Sequence, residues 1–131
     1  MALVTRSAEA SLDASTGMVA PQITGLIAGA DLDVAAPCYI HSDGTVRMAD
    51  GTADNALAVV AGFTPRAVKS GQPVTLFGAG ARFKYGAGLT PGALYFLAAT
   101  AGRLDTAATT GGLVALAQAV TATDVRIRSA F

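Results

Sequence analysis

From Pro21 onward the sequence is cut into short apolar runs by turn signals. These are Ser42-Asp43-Gly44, Asp50-Gly51, Lys69–Gln72, Leu89-Thr90-Pro91-Gly92, Thr100-Ala101-Gly102 and Thr121–Asp124. Runs this short cannot make long helices, and their spacing is that of a β-sandwich or barrel. Fifteen glycines point the same way, since each glycine inside a helix costs about 1 kcal/mol relative to alanine.

Within the runs the patterning is that of strands. Pro37–His41 and Thr45–Ala49 flank an Asp-Gly pair, a strong hairpin signal. Val46 and Met48 alternate with Thr45 and Arg47, as on a half-buried strand. Phe83 and Tyr85 alternate with Arg82 and Lys84, and Val125 and Ile127 with Arg126 and Arg128. Ile23–Ile27, Leu57–Thr64, Val74–Phe77, Leu94–Ala98, Arg103–Thr106 and the alanine-rich Leu113–Val120 complete the expected set. Asn55–Phe63 also fits a short helix, but Val59, Val60 and Phe63 favour a strand.

Two stretches share an order of features. Pro37-Cys38-Tyr39-Ile40, a turn with Gly44 and Thr45-Val46-Arg47-Met48 match Ala93–Leu97, a turn with Gly102 and Arg103–Thr106. Apolar runs beginning at Leu57 and Leu113 follow, then Val74-Thr75-Leu76 and Val125-Arg126-Ile127. A hairpin plus two further strands, used twice, is the unit this suggests. Two such units that paired their open edges would close a small barrel or sandwich and remove exposed strand edges.

Residues 1–20 differ in texture. Ser, Thr and Ala are mixed with Arg6, Glu9 and Asp13, and Gly17 interrupts. A short helix over Ser7–Ala14 is an alternative, but an extended arm fits better, since termini order only when tied down. The expected organisation is therefore an N-terminal arm (1–20) and a β domain (21–131). Leu3, Val4, Arg6, Leu12, Val19 and Ile23 are the candidate residues for contact with another subunit.

Composition narrows the function. The chain has 131 residues, of which 52% are apolar and only 14% charged. Soluble domains carry about 25% charged residues, so part of this surface is expected to be covered by protein. Nine basic and nine acidic residues cancel, and the basic ones are scattered. No nucleic-acid footprint is expected, because that needs a clustered basic face. The N-terminus has no apolar signal core, and Thr106–Thr123 is broken by Gly111-Gly112, so neither a signal peptide nor a membrane span is expected.

The inventory for chemistry is thin. His41 is the one histidine and sits beside a turn; Cys38 is the one cysteine and lies in an apolar stretch. Together they make no zinc set. No serine lies in a Gly-x-Ser-x-Gly elbow. Asp31/Asp33 and Asp50/Asp54 lack the glutamate that ends a calcium loop. Gly78-Ala79-Gly80 and Gly86-Ala87-Gly88 do not continue as dinucleotide loops. No catalytic residue, metal or cofactor is expected, and binding is the expected role.

One family resemblance stands beside these readings. Gly71-x-x-Val74-x-Leu76, Leu89-Thr90-Pro91-Gly92-x-x-Tyr95-Phe96-Leu97, Gly102-Arg103-Leu104, the run Leu113–Val120 and Thr123-Asp124-Val125-Arg126-Ile127 resemble the capsid decoration, or cement, proteins of tailed bacteriophages. The likeness covers the chain from about Ala36 onward and leaves out the arm. It implies a virion protein on the outer capsid surface, made in the host bacterial cytoplasm. Its partners would be the major capsid protein and further copies of itself, as a homotrimer. Similar passages occur in phage tail fibres and spikes, which makes a receptor-binding module the alternative.

Overall fold

The structure, a computed structural model, describes residues 3–13 and 20–128. These residues form eleven β-strands and one 3-10 turn, with no α-helix among them. The strands are β1 (Ser11–Leu12), β2 (Gln22–Ile27), β3 (Pro37–Ile40), β4 (Val46–Met48), β5 (Gly62–Phe63), β6 (Pro73–Phe77), β7 (Arg82–Lys84), β8 (Leu94–Leu97), β9 (Leu104–Asp105), β10 (Ala117–Ala119) and β11 (Asp124–Ile127). They assemble into two antiparallel sheets packed as a sandwich.

The first sheet runs β2-β6-β5-β3-β4, and the second β1-β7-β11-β10-β8-β9. Once β1 is set aside, adding five to each strand number of the first order gives the second. The duplication expected from sequence is thus present as topology. It is a unit of five strands, one more than the sequence match contained, because β2 and β7 correspond as well. The two hairpins that anchor the units are β3–β4, with Cys38 opposite Met48, and β8–β9, with Leu97 opposite Leu104.

The expectation that two units pair their open edges does not hold, and neither does the barrel alternative. No ladder among the described residues joins a strand of one unit to a strand of the other. The halves are instead stitched by backbone bonds from turns. Gly102 N–H donates to Ala49 O at 2.9 Å and Gly51 N–H to Ala98 O at 2.7 Å. Gly102 has φ +72, and its α-carbon lies against the Met48 side chain. Only glycine suits both the left-handed backbone and that approach.

The main core lies between the sheets. Tyr39, Phe63 and Phe77 of the first half pack with Phe83, Tyr85, Tyr95, Leu97, Leu104, Val125 and Ile127 of the second. The ring centroids of Phe63 and Phe83 are 6.0 Å apart. A smaller cluster of Cys38, Val46, Val74 and Leu76 sits within the first half under Leu32 and Val68. Those two covering residues bond each other's backbone in both directions.

Two local expectations change, and one alternative falls away. Leu57–Thr64 is not one strand: Ala56–Ala58 form a 3-10 turn, and only Gly62–Phe63 pair. Asn55 starts that turn, its Oδ1 accepting from Leu57 N–H at 3.1 Å. Leu113–Val120 likewise pairs only over Ala117–Ala119. The helical alternative for Ser7–Ala14 is absent over its described residues, where a turn leads into β1.

The described part of the arm is extended and bonded along the second sheet. Leu3 bridges Asp105, Val4 N–H donates to Leu104 O, Ser7 N–H to Tyr85 O, and Asp13 N–H to Arg82 O. Ser11 and Leu12 pair with Lys84 and Phe83. Residues 3–13 thus run from the β9 edge to the β7 edge as a strap.

Candidate interaction surface

The residues named from sequence for subunit contact do not converge. Leu3 is exposed at the β9 edge, whereas Val4 is 4% exposed and belongs to the core. The Arg6 guanidinium donates to Gly102 O at 2.9 Å and pairs with Asp33 at 2.8 Å. Leu12 is half-buried opposite Phe83, and Ile23 is half-buried opposite Leu76 in the other sheet. Val19 lies outside the described residues. Val4, Arg6 and Leu12 spend their contacts on holding the strap, and of the described five only Leu3, at 41%, is an exposed apolar residue.

A different surface does gather apolar side chains. It is built by the two repeat-related loops, residues 49–61 between β4 and β5 and 106–116 between β9 and β10. Gly111 N–H donates to Gly51 O at 3.0 Å. A side chain at Gly111 would overlap the Ala53 carbonyl and come within 2.8 Å of Ala58 Cβ. One at Gly112 would meet Leu97 O at 2.8 Å and Thr109 Oγ1 at 2.7 Å. The Gly111-Gly112 pair therefore lets one loop lie flat on the other. The hydroxyl of Thr109, donating to Leu97 O at 2.7 Å, ties the second loop down.

Between the loops is a cavity of about 300 Å³. Ala58, Val60, Leu97 and Leu116 line it, with Leu113 and Val114 at its side. Asp54 is the one ionisable residue in the lining. Of the lining residues, Leu113 is 74% exposed and Val114 67%; Val59, 67% exposed, lies in the chain between the lining residues Ala58 and Val60. Scattered single apolar residues on a surface are ordinary; here Leu113 and Val114 are adjacent in the chain and both flank a hollow of mixed polar and apolar lining. Leu57 and Leu113, which begin the two matching apolar runs, are both exposed.

The remaining candidates are occupied locally. Burial, with a smaller contribution from the Asp33 charge, pushes the Cys38 thiol up to about 12. At neutral pH it is an inert thiol rather than a nucleophile. The His41 ring nitrogen Nδ1 accepts from Asp43 N–H at 3.2 Å within the hairpin turn. Asp31 pairs with Lys69, and bonds from Ser70 N–H and the Lys69 charge hold its carboxyl below the usual range. No group of three or more metal-ligating side chains occurs among the described residues, and no helix there is long and apolar enough to cross a membrane. Arg6, Arg47, Lys69, Arg82 and Lys84 each pair with a carboxylate.

Fold and surface together define a two-sheet β-sandwich of duplicated halves with an apolar patch where the halves' loops meet. No family model, curated protein or solved structure matches the chain.

Proposed function

We propose that this protein decorates the outer surface of an assembled viral capsid, binding the major capsid protein and stabilising the shell without catalysis. The apolar patch carries this reading. Leu113 and Val114 stand exposed beside a hollow in a chain with few charges, which suits lasting contact with protein. The resemblance of the chain from about Ala36 onward to phage cement proteins supplies the kind of partner.

The mechanism is mass action. A protein that binds only the assembled lattice adds about 2.7 kcal/mol to it when present at a hundred times its dissociation constant. Many copies on one shell multiply the effect. Because the patch is apolar, salt should weaken binding little.

The test adds purified protein to undecorated, expanded shells and follows their melting. A rise in shell melting temperature is expected with the wild type. Leu113→Asp and Val114→Asp, both at exposed positions, should keep the fold and lose most of that rise. Absence of wild-type binding to expanded shells would refute the proposal.

A further inference from the structure

The charges of the molecule are unevenly matched. Glu9, Asp31, Asp33, Asp43 and Asp124 each lie within ion-pair distance of a basic side chain. The two loops that build the hollow have no cation to offer. No lysine, arginine or histidine occurs between Arg47 and Arg66, or between Arg103 and Arg126. Asp54 is exposed, and its carboxylate makes no hydrogen bond or ion pair among the described residues.

That unmatched carboxylate stands at the hollow. Asp54 shares the lining with the apolar side chains of Ala58, Val60, Leu97 and Leu116. Gly111 and Gly112 add backbone to the lining and no side chain. A volume of about 300 Å³ is at the lower end for ligand sites and gives room for one long side chain. The occupant has to suit both parts of the lining. A purely apolar side chain would take water from Asp54 and leave its charge with nothing in return. A lysine or arginine suits both, because its methylene stem lies along an apolar wall while its charged head stays at the rim.

We infer that the hollow takes a lysine or arginine side chain of the major capsid protein, paired with Asp54 and flanked by apolar residues that cover Leu113 and Val114. The identity of the partner rests on the capsid reading; the kind of side chain follows from the lining alone. A partly enclosed ion pair is screened by salt far less than an exposed one, so this contact agrees with shell binding that depends little on salt.

Two measurements test this. Asp54→Asn keeps the side-chain shape and removes the charge. Thermal unfolding should not change, because the carboxylate has no partner within the described chain. Affinity for undecorated, expanded shells should fall at least tenfold. Separately, nuclear magnetic resonance follows the amides of Gly111, Gly112 and Leu113 while a blocked tripeptide of leucine, arginine and leucine is added. Saturable shifts are expected with the wild type. Binding should be at least fivefold weaker with Asp54→Asn, and with a tripeptide that carries uncharged citrulline in place of arginine. Shell binding undiminished by Asp54→Asn would overturn the inference and leave the capsid reading standing. A wild type that binds no shells would sink the capsid reading, and the tripeptides would then decide the chemistry of the hollow. No binding, or equal binding of the arginine and citrulline forms, would overturn it.

Discussion

In the first half of the molecule Gly29 N–H reaches Val46 O directly, so the end of β2 touches β4. In the second half residues 3–12 stand between the equivalent edges, bonding Leu104 and Asp105 on one side and Phe83 to Tyr85 on the other. The strand order is the same, but the seam is handled differently. In the first half a turn of small residues (Ala28-Gly29-Ala30) brings backbone to backbone, and Gly29 packs tightly on Thr45. In the second half that space holds a strap with its own buried side chains, Val4 and Ala10. The strap is locked by Arg6 on Gly102 O and by Arg103 on Val4 O. A duplicated unit thus acquires two surfaces. One half closes its seam with backbone contacts of its own, and the other with the strap.

The interiors differ as well, and this gives the largest expected effect. Leu32 and Leu89 are counterparts, each bonding by its N–H to the segment before the last strand of its half. Leu32 covers the small cluster of the first half, while Leu89 lies on the main core. Leu→Ala at a buried site costs about 2–5 kcal/mol, more where the surroundings cannot collapse. Leu32→Ala should cost about 3 kcal/mol, with hydrogen exchange accelerated first in β3, β4 and β6. Leu89→Ala, at a position slightly more exposed and with more neighbours able to shift, should cost about 2 kcal/mol and loosen β10 and β11. Denaturant melts combined with exchange rates decide it. The reverse order, or identical exchange patterns, would show that the halves share one interior.

The turns sharpen the comparison at a smaller scale. Gly44 and Gly102 both sit at positive φ in corresponding hairpins. A side chain at Gly44 would enter open space; one at Gly102 would strike Met48. Gly44→Ala should therefore cost about 1 kcal/mol, from the backbone alone. Gly102→Ala should cost about 2 kcal/mol because the same strain is joined by displacement of Met48. Combining it with Met48→Ala should cost less than the two single changes added together.

Much of this difference was unreadable in sequence, for physical reasons. The repeat was legible because turn chemistry is local. Asp43-Gly44 and the proline-glycine turn after Leu89 bend the chain wherever it goes. Strand alternation at Arg82–Tyr85 was legible because one face meets the core: Phe83 and Tyr85 are fully buried, and Lys84 is exposed. The fate of Leu113 and Val114 was not legible. An apolar residue is buried only if something arrives to cover it, and that depends on how two loops far apart in sequence settle together. The arm was read as extended, but its edges of attachment lie about eighty and a hundred residues away in sequence and leave no local trace. Arg6 is a candidate for subunit contact by sequence, yet it closes the strap onto Gly102 and Asp33.

The smallest expected effect separates the two hairpin turns by pH. Asp43 accepts from Thr45 Oγ1 at 2.6 Å and from Thr45 N–H at 2.9 Å. These bonds, with lesser help from His41 and Arg47, hold its carboxyl down at about 2 against a usual value of 3.8. A carboxyl whose folded value is depressed contributes stability that is fully present above the usual value and is lost as pH falls through the folded one. Acid should therefore loosen the first hairpin between about pH 4 and pH 2. The corresponding turn of the second half, Ala99-Thr100-Ala101-Gly102, has no carboxylate of its own and should hold its amide shifts across the same window. A carboxyl-carbon NMR titration reads the midpoint directly. Thr45→Val removes the hydroxyl donor but keeps the side-chain shape, so the Asp43 midpoint should rise toward its ordinary value while the amide bond retains part of the depression. A midpoint unmoved by that substitution would mean that the neighbouring His41 and Arg47, and not the turn itself, set the charge on Asp43.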